Sequence, residues 1–238
     1  PSAQRRVVES GAKSGMVQGA NQGAALHGAP WLRFDTPILC LRRPLWSSDS
    51  PAPRFSRFFC LLMATTHLLY LHGFRSSPLS AKARQRAAHV AAHHPAVTFW
   101  CPQLPPSPQA AMALVAEGIA TWPRAAMAVV GSSLGGFYAS WVAQHAGCPS
   151  VMLNPAVAPA RDLARYIGEQ TTWQNPEERF YFLPEYIAEL QALDMRGRPR
   201  AGPELAIIAK GDEVLDWREM AGRYPEARQI VQEGGDHA

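Results

Sequence analysis

From residue 66 onward, short apolar runs alternate with longer amphipathic stretches. His67-Leu-Leu-Tyr-Leu71 is an apolar run bounded by Gly73, the pattern of a strand covered on both faces. Ser80–His94 is Ala-rich with charge on one side, opened by Pro78 and Ser80 and closed by Pro95, which predicts a helix. The β-branched and aromatic run Val97–Cys101 predicts a strand, followed by a helix near Pro108–Thr121. A strand over Met127–Gly131, a helix from Leu134 to about Ala146 and a strand over Ser150–Asn154 come next. The stretch from about Ala160 to Leu193 reads as a helical insertion with proline breaks. A strand over Glu204–Lys210, a helix around Asp216–Gly222 and a strand over Arg228–Gln232 complete the series. Strands alternating with helices of this length build βα units on a parallel sheet. The expectation is an α/β protein with an open, mostly parallel sheet flanked by helices. A small helical cap is expected over about residues 155–200.

Residues 1–62 lack this rhythm. They begin Gly-, Ala-, Ser- and Gln-rich, and continue into Arg42-Arg-Pro-Leu-Trp-Ser-Ser-Asp-Ser-Pro51, which concentrates Pro, Ser and Arg as linkers do. Such a stretch buries too little apolar surface to offset its ordering entropy. It reads as a disordered extension or a translated upstream region, with Met63 as a natural start and residues 63–238 as the domain. Phe58–Met63 is apolar but far from the N-terminus and runs into Thr-Thr-His, unlike a signal peptide.

Charge follows the same division. Residues 1–62 hold eight Lys/Arg against three Asp/Glu, and residues 63–238 hold fifteen against sixteen, so the net +4 belongs to the N-terminal stretch. The domain itself shows no basic footprint for nucleic acid, and no run has the ~18–20 apolar residues of a membrane span. Cys40, Cys60, Cys101 and Cys148 form no CxxC pair and no metal-ligand spacing. A reduced, cytoplasmic protein is expected.

The chemistry is concentrated at Gly131-Ser132-Ser133-Leu134-Gly135, a G-x-S-x-G set between a predicted strand and a predicted helix. That context is what makes the five letters informative: a strand–turn–helix of this kind projects a strained, exposed serine. The glycines allow the close approach of strand and helix. A serine hydroxyl needs a base, and in such sheets acid and base follow in the order Ser, Asp/Glu, His. Gly211-Asp212-Glu213 and Gly234-Gly-Asp-His237 each follow a predicted strand, placing Asp212 and His237 at the same sheet edge as Ser133. Asp216, Asp236 and Glu213 are rivals for the acid: Asp216 is placed as a helix cap, Asp236 adjoins the histidine, and Glu213 is weaker still. The oxyanion donors expected are the backbone N–H of Leu134 and that of Phe74, in the turn Tyr70-Leu-His-Gly-Phe74.

Several blocks together resemble the YqiA-type esterases, a compact branch of the α/β-hydrolases. They are Tyr70–Phe74 with Ser76-Ser-Pro78 and Lys82-Ala83, then Gly131–Tyr138, Leu153-Asn-Pro-Ala156, Gly211–Asp216 and Gly234–His237. The resemblance covers about residues 65–238. It implies hydrolysis of carboxylic ester or thioester substrates without a cofactor, with Ser133, Asp212 and His237 as the triad. It also implies a final helix after the histidine loop, which the sequence does not contain, so a fragment with a fraying base is expected. Alternatives at this level are an acyltransferase or thioesterase with the same triad, a catalytically idle hydrolase-fold binder, and a basic N-terminal tether to anionic membrane. Small acyl substrates are the expected partners, with no nucleic acid and no stable membrane insertion. The aromatics Tyr166, Trp173, Phe180, Tyr181, Phe182 and Tyr186 either line an acyl pocket or pack the cap.

Overall fold

The computed structural model describes residues 65–237, so the predicted extension over 1–62, with Cys40, Cys60 and Met63, lies outside them. Six parallel strands form the main sheet: β1 (His67–Leu71), β2 (Thr98–Trp100), β3 (Met127–Ser132), β4 (Ser150–Leu153), β7 (Glu204–Ala209) and β8 (Arg228–Gln232). Their order is β2-β1-β3-β4-β7-β8. Helices α1 (Ala81–His93), α2 (Pro108–Gly118), α3 (Leu134–Ala146) and α6 (Trp217–Arg223) supply the crossovers. The starts of α1, α2 and α6 are set by their own side chains. Ser80 and Ser107 accept the N–H groups of Ala83 and Ala110, and Asp216 accepts that of Arg218. Gly147, at φ +68, closes α3 in the left-handed conformation that glycine adopts without penalty.

The core explains why α3 runs beneath the centre of the sheet. Leu69, Leu71 and Val129 are fully buried, as are Met152, Ala206 and Ile208 from the neighbouring strands. Phe137 and Val142 of α3 are buried with them, each contributing about 1.5–3 kcal/mol, beside the smaller Ala139 and Ala143.

Register decides where the loops go. Leu71 pairs with Gly131, Ser132 with Leu153, and Ala209 with Gln232. The turns after β1, β3, β7 and β8 therefore leave the same edge of the sheet at nearly one level.

The segment between β4 and β7 departs from the expected helical cap. It holds α4 (Pro159–Leu163), then β5 (Gly168–Thr171) and β6 (Arg179–Phe182), then α5 (Glu185–Ala192). Strands β5 and β6 form an antiparallel hairpin, Gly168 opposite Phe182 and Thr171 opposite Arg179. The reason is a period of two. Along Arg179-Phe-Tyr-Phe182 the burial runs exposed, half-buried, exposed, buried, so Phe180 and Phe182 share one face. A helix would have scattered them.

Candidate active site

The turn Gly131–Gly135 is built by backbone contact. A Cβ on Gly131 would stand 1.9 Å from the carbonyl oxygen of Gly135, and one on Gly135 would stand 2.0 Å from that of Leu71. Only glycines let β1, β3 and α3 approach this closely. Between them Ser133 sits at φ +58, ψ −122, a conformation costing an L-residue about 1–3 kcal/mol that the surroundings must over-determine. Its N–H donates to Leu153 O (3.0 Å), and its carbonyl accepts the N–H groups of Gly136 (2.9 Å) and Ala156 (3.0 Å). The side chain is thereby left projecting from the sheet edge.

Ser133 Oγ lies 3.0 Å from His237 Nε2, and His237 Nδ1 lies 2.7 Å from Asp212 Oδ2. Because an ionised carboxylate only accepts, Nδ1–H donates to Asp212, leaving Nε2 as the acceptor for the serine hydroxyl. The Asp212 side chain is fully buried. Burial acts to raise its pKa, but the hydrogen bonds from His237 and from the N–H groups of Leu215 and Val214 hold the carboxyl below the usual carboxylate range.

Two of the three rivals for the acid, Asp216 and Glu213, have their carboxylates engaged elsewhere. Asp216 Oδ1 caps α6 through the Arg218 N–H at 2.9 Å. The Asp236 backbone carbonyl accepts from Asn154 Nδ2 at 3.0 Å. Glu213 Oε2 accepts the backbone N–H of His237 at 3.0 Å.

This last contact belongs to a set that sequence reasoning missed. Lys82 Nζ, on α1, donates to the carbonyl of His237 at 2.7 Å and to Ser132 Oγ at 3.3 Å. Burial pulls the Lys82 ammonium below its ordinary pKa against the opposing fields of Asp212, Asp236 and Glu213. Asn154, buried and at φ +41, also accepts the N–H of Ala209 at 2.8 Å while it holds Asp236. Asn154, Glu213 and Lys82, from three separate elements, thus clamp the backbone of residues 236–237, and the expected fraying of the histidine loop is opposed at both peptide groups of His237.

The turn after β1 runs alongside the serine: a Cβ on Gly73 would stand 3.1 Å from Ser133 Cβ and 3.5 Å from its Oγ. Among the described residues, neither the Phe74 nor the Leu134 backbone N–H has a protein acceptor. His72 fixes this turn. Its Nε2 accepts the N–H of Leu104 (3.1 Å), so Nδ1–H donates to Gly73 O (3.0 Å) and the ring is neutral. Burial pulls its pKa below the ordinary histidine value, partly opposed by the bond to Gly73. The Phe74 ring enters the cap, 5.2 Å from the Phe182 centroid and 5.6 Å from that of Tyr166.

Two cavities meet at Ser133 and His237. One, about 510 Å³, is lined by Leu134, Val157, Leu163, Tyr166 and Leu215, with Arg161 and Arg165 also in its wall. The other, about 450 Å³, lies between Tyr70, Phe74, Lys82 and Val214. Trp173 borders both. A larger cavity of about 800 Å³ along Gln144, Arg198, Arg200 and Tyr224 contains none of the predicted residues. Among the described residues, no helix is long and apolar enough to cross a membrane, and no group of three or more His, Cys, Asp or Glu could hold a metal ion.

Comparison with solved structures finds the same fold in several proteins of low identity. Alpha/beta hydrolase domain-containing protein 10 from mouse is 16% identical, with 73% of this chain and 82% of that chain covered at a TM-score of 0.55. Est1E from Butyrivibrio proteoclasticus is 13% identical, with 74% and 81% covered at 0.53. A structure from the study of LipS and LipT, two metagenome-derived lipolytic enzymes, is 17% identical, with 74% and 86% covered at 0.54. These likenesses show the α/β-hydrolase fold. The blocks that resemble the YqiA-type esterases lie within residues 67–238, and over that stretch the chain matches, and belongs to, the uncharacterised protein family UPF0227.

Proposed function

We propose that the protein is a serine esterase that hydrolyses carboxylic ester or thioester substrates through an acyl-enzyme on Ser133. The observation that carries this reading is the continuous chain from Ser133 Oγ through His237 to the buried Asp212, at 3.0 and 2.7 Å. Leu134 follows the serine directly, and the turn carrying Phe74 runs beside it, where a Cβ on Gly73 would stand only 3.5 Å from Ser133 Oγ.

In the first step His237 Nε2 takes the hydroxyl proton as Ser133 Oγ bonds to the substrate carbonyl carbon. The oxyanion that forms is held by the N–H groups of Phe74 and Leu134, and donors of this kind contribute about 2.7–4 kcal/mol each by deletion. Collapse of the tetrahedral species breaks the bond to the leaving oxygen or sulfur, which receives the proton from His237. Water then repeats the sequence on the acyl-enzyme, its proton going to His237 and finally to Ser133 as the acid is released. Asp212 holds the Nδ1–H tautomer and stabilises the imidazolium in both steps. The apolar lining at Leu134, Val157 and Leu163 suits an acyl group.

The test is turnover of p-nitrophenyl esters from acetate to palmitate, beside an acyl-thioester series, by the full chain and its Ser133→Ala variant. Turnover abolished by the serine change, with labelling of Ser133 by a fluorophosphonate, is expected. A folded wild type that neither turns over nor labels would overturn the reading in favour of a binding role.

A further inference from the structure

Arg75 follows the candidate oxyanion residue directly and stands at φ +59. Arginine has no ordinary reason to occupy the left-handed region, since its Cβ is penalised there. Backbone strain of this kind persists only where surrounding contacts over-determine it.

Four contacts do so, and all run to the cap hairpin. Arg75 Nε–H donates to the carbonyl of Thr171 at 2.7 Å, and Nη2–H donates to Thr171 Oγ1 at 3.0 Å. The guanidinium carbon lies 4.1 Å from the centroid of the Trp173 ring. In the opposite direction, the Trp173 N–H donates to the Arg75 carbonyl at 2.8 Å. The end of β5 and the turn after β1 are thus joined by backbone and side chain together. The neighbouring Phe74 ring is gripped by Tyr166, Phe180 and Phe182 from the same cap.

The geometry has a consequence for the peptide between Gly73 and Phe74. Its carbonyl side is braced from the sheet by His72 and by the Ser76 N–H, which donates to Gly73 O at 3.3 Å. Its N–H has no protein acceptor among the described residues, and because the peptide is planar its direction is set jointly by the bonds to Gly73 O and by what holds Phe74 and Arg75. Both residues are held by the cap.

We propose that Arg75 is a positioning residue: its guanidinium latches the cap hairpin to the turn bearing the Phe74 N–H, so that the docked cap completes the positioning of an oxyanion donor that His72 and Ser76 brace from the sheet side. This rests on the acyl-transfer reading above and adds a control to it. Trp173 borders both cavities beside Ser133, so the latch also lies where a bound substrate touches it. A planar, forked and stackable group is required, which arginine supplies and lysine does not.

The experiment compares the full chain with Arg75→Gly, Arg75→Lys and Ser133→Ala. Glycine keeps the left-handed backbone available, so Arg75→Gly removes the latch without imposing a new conformation. Removing an oxyanion donor outright lowers kcat by about 10²–10³. A displaced donor is expected to lower it by about ten- to hundredfold, with KM for p-nitrophenyl butyrate changed less than about threefold. Arg75→Lys is expected to remain as impaired as the glycine variant, and the rate of fluorophosphonate labelling to fall in parallel with kcat. Thermal melting serves as the control for a merely structural role. Amide hydrogen exchange reads the latch independently of turnover, with the Trp173 N–H expected to lose protection in Arg75→Gly.

Turnover in the wild type, lost in Ser133→Ala but within twofold of normal in Arg75→Gly, would overturn the latch and leave the esterase reading standing. Restoration by lysine, or a loss of kcat that only tracks the unfolded fraction, would also overturn it. An inactive wild type would remove the esterase reading. Unchanged exchange at Trp173 in Arg75→Gly would remove the latch whatever the turnover.

Discussion

Replacing Lys82 by methionine isolates what the clamp on the histidine loop contributes. Methionine keeps much of the aliphatic stem and removes the ammonium that donates to the His237 carbonyl at 2.7 Å and to Ser132 Oγ at 3.3 Å. A hydrogen bond involving a charged group contributes about 1.5–3 kcal/mol, and every 1.36 kcal/mol is a factor of ten. Were Lys82 alone responsible for docking the loop, its loss would deplete the competent arrangement by roughly ten- to 150-fold. The Glu213 and Asn154 contacts remain, so the lower end of that range is expected: kcat/KM for p-nitrophenyl butyrate about tenfold below wild type. Global stability is expected to change little, because the variant also removes a half-buried charge whose desolvation already pulls its pKa down. A change under about 1 kcal/mol moves the melting temperature by no more than about 2–4 °C in a domain this size. Esterase kinetics and thermal melts on the same samples decide the matter. Activity within twofold of wild type would show that the loop docks without Lys82, and activity falling only in step with melting temperature would show that Lys82 is a stability residue.

Three further outcomes follow from the geometry. Gly131→Ala places a Cβ 1.9 Å from a backbone oxygen that cannot rotate away, so a loss of about 3 kcal/mol or more is expected in urea melts; an unchanged midpoint would contradict the close packing of β3 on α3. His72 has its pKa pulled down by burial, so the unfolded chain takes up a proton first, near pH 6.5, and the folded state loses stability as pH drops below that value. His72→Gln is expected to lack that slope between pH 7.5 and 5.5, and parallel curves for the two proteins would refute the neutral, doubly bonded ring. Asp212 is depressed instead, so its contribution is complete above the unfolded carboxyl value of about 3.9 and disappears as pH falls through the lower folded value. Asp212→Asn should therefore be less stable than wild type at pH 7 but converge with it in strong acid, and its kcat should fall by about 10⁴ because the imidazole loses its tautomer.

What was legible in the sequence, and what was not, divides along a physical line. The turn around Ser133 is dictated locally: the glycines at 131 and 135 and the apolar run before them leave the backbone few alternatives, so five residues predict a geometry. Asp212 and His237 were placed by the ends of β7 and β8, because parallel strands deliver their loops to one edge whatever lies between. The hairpin β5–β6 was missed although its signal was present, since the alternation of Arg179-Phe-Tyr-Phe182 is only four residues long and proline-broken surroundings favoured a helical reading. The clamps left no such signal. Lys82 is 155 positions from the carbonyl it holds, Asn154 is 82 from its own, and Glu213 is 24 from the histidine N–H. Each acts on a backbone group, and a backbone group is the same at every position, so no pairing of residue types could reveal it. Arg75 is the intermediate case. Its type is unremarkable, but an arginine in a left-handed turn is a local conflict, and such conflicts arise where distant contacts outweigh local preference. The candidate catalytic residues can thus be named from sequence, whereas the residues that hold them steady emerge only once the fold has brought a helix, a cap and three sheet-edge turns together.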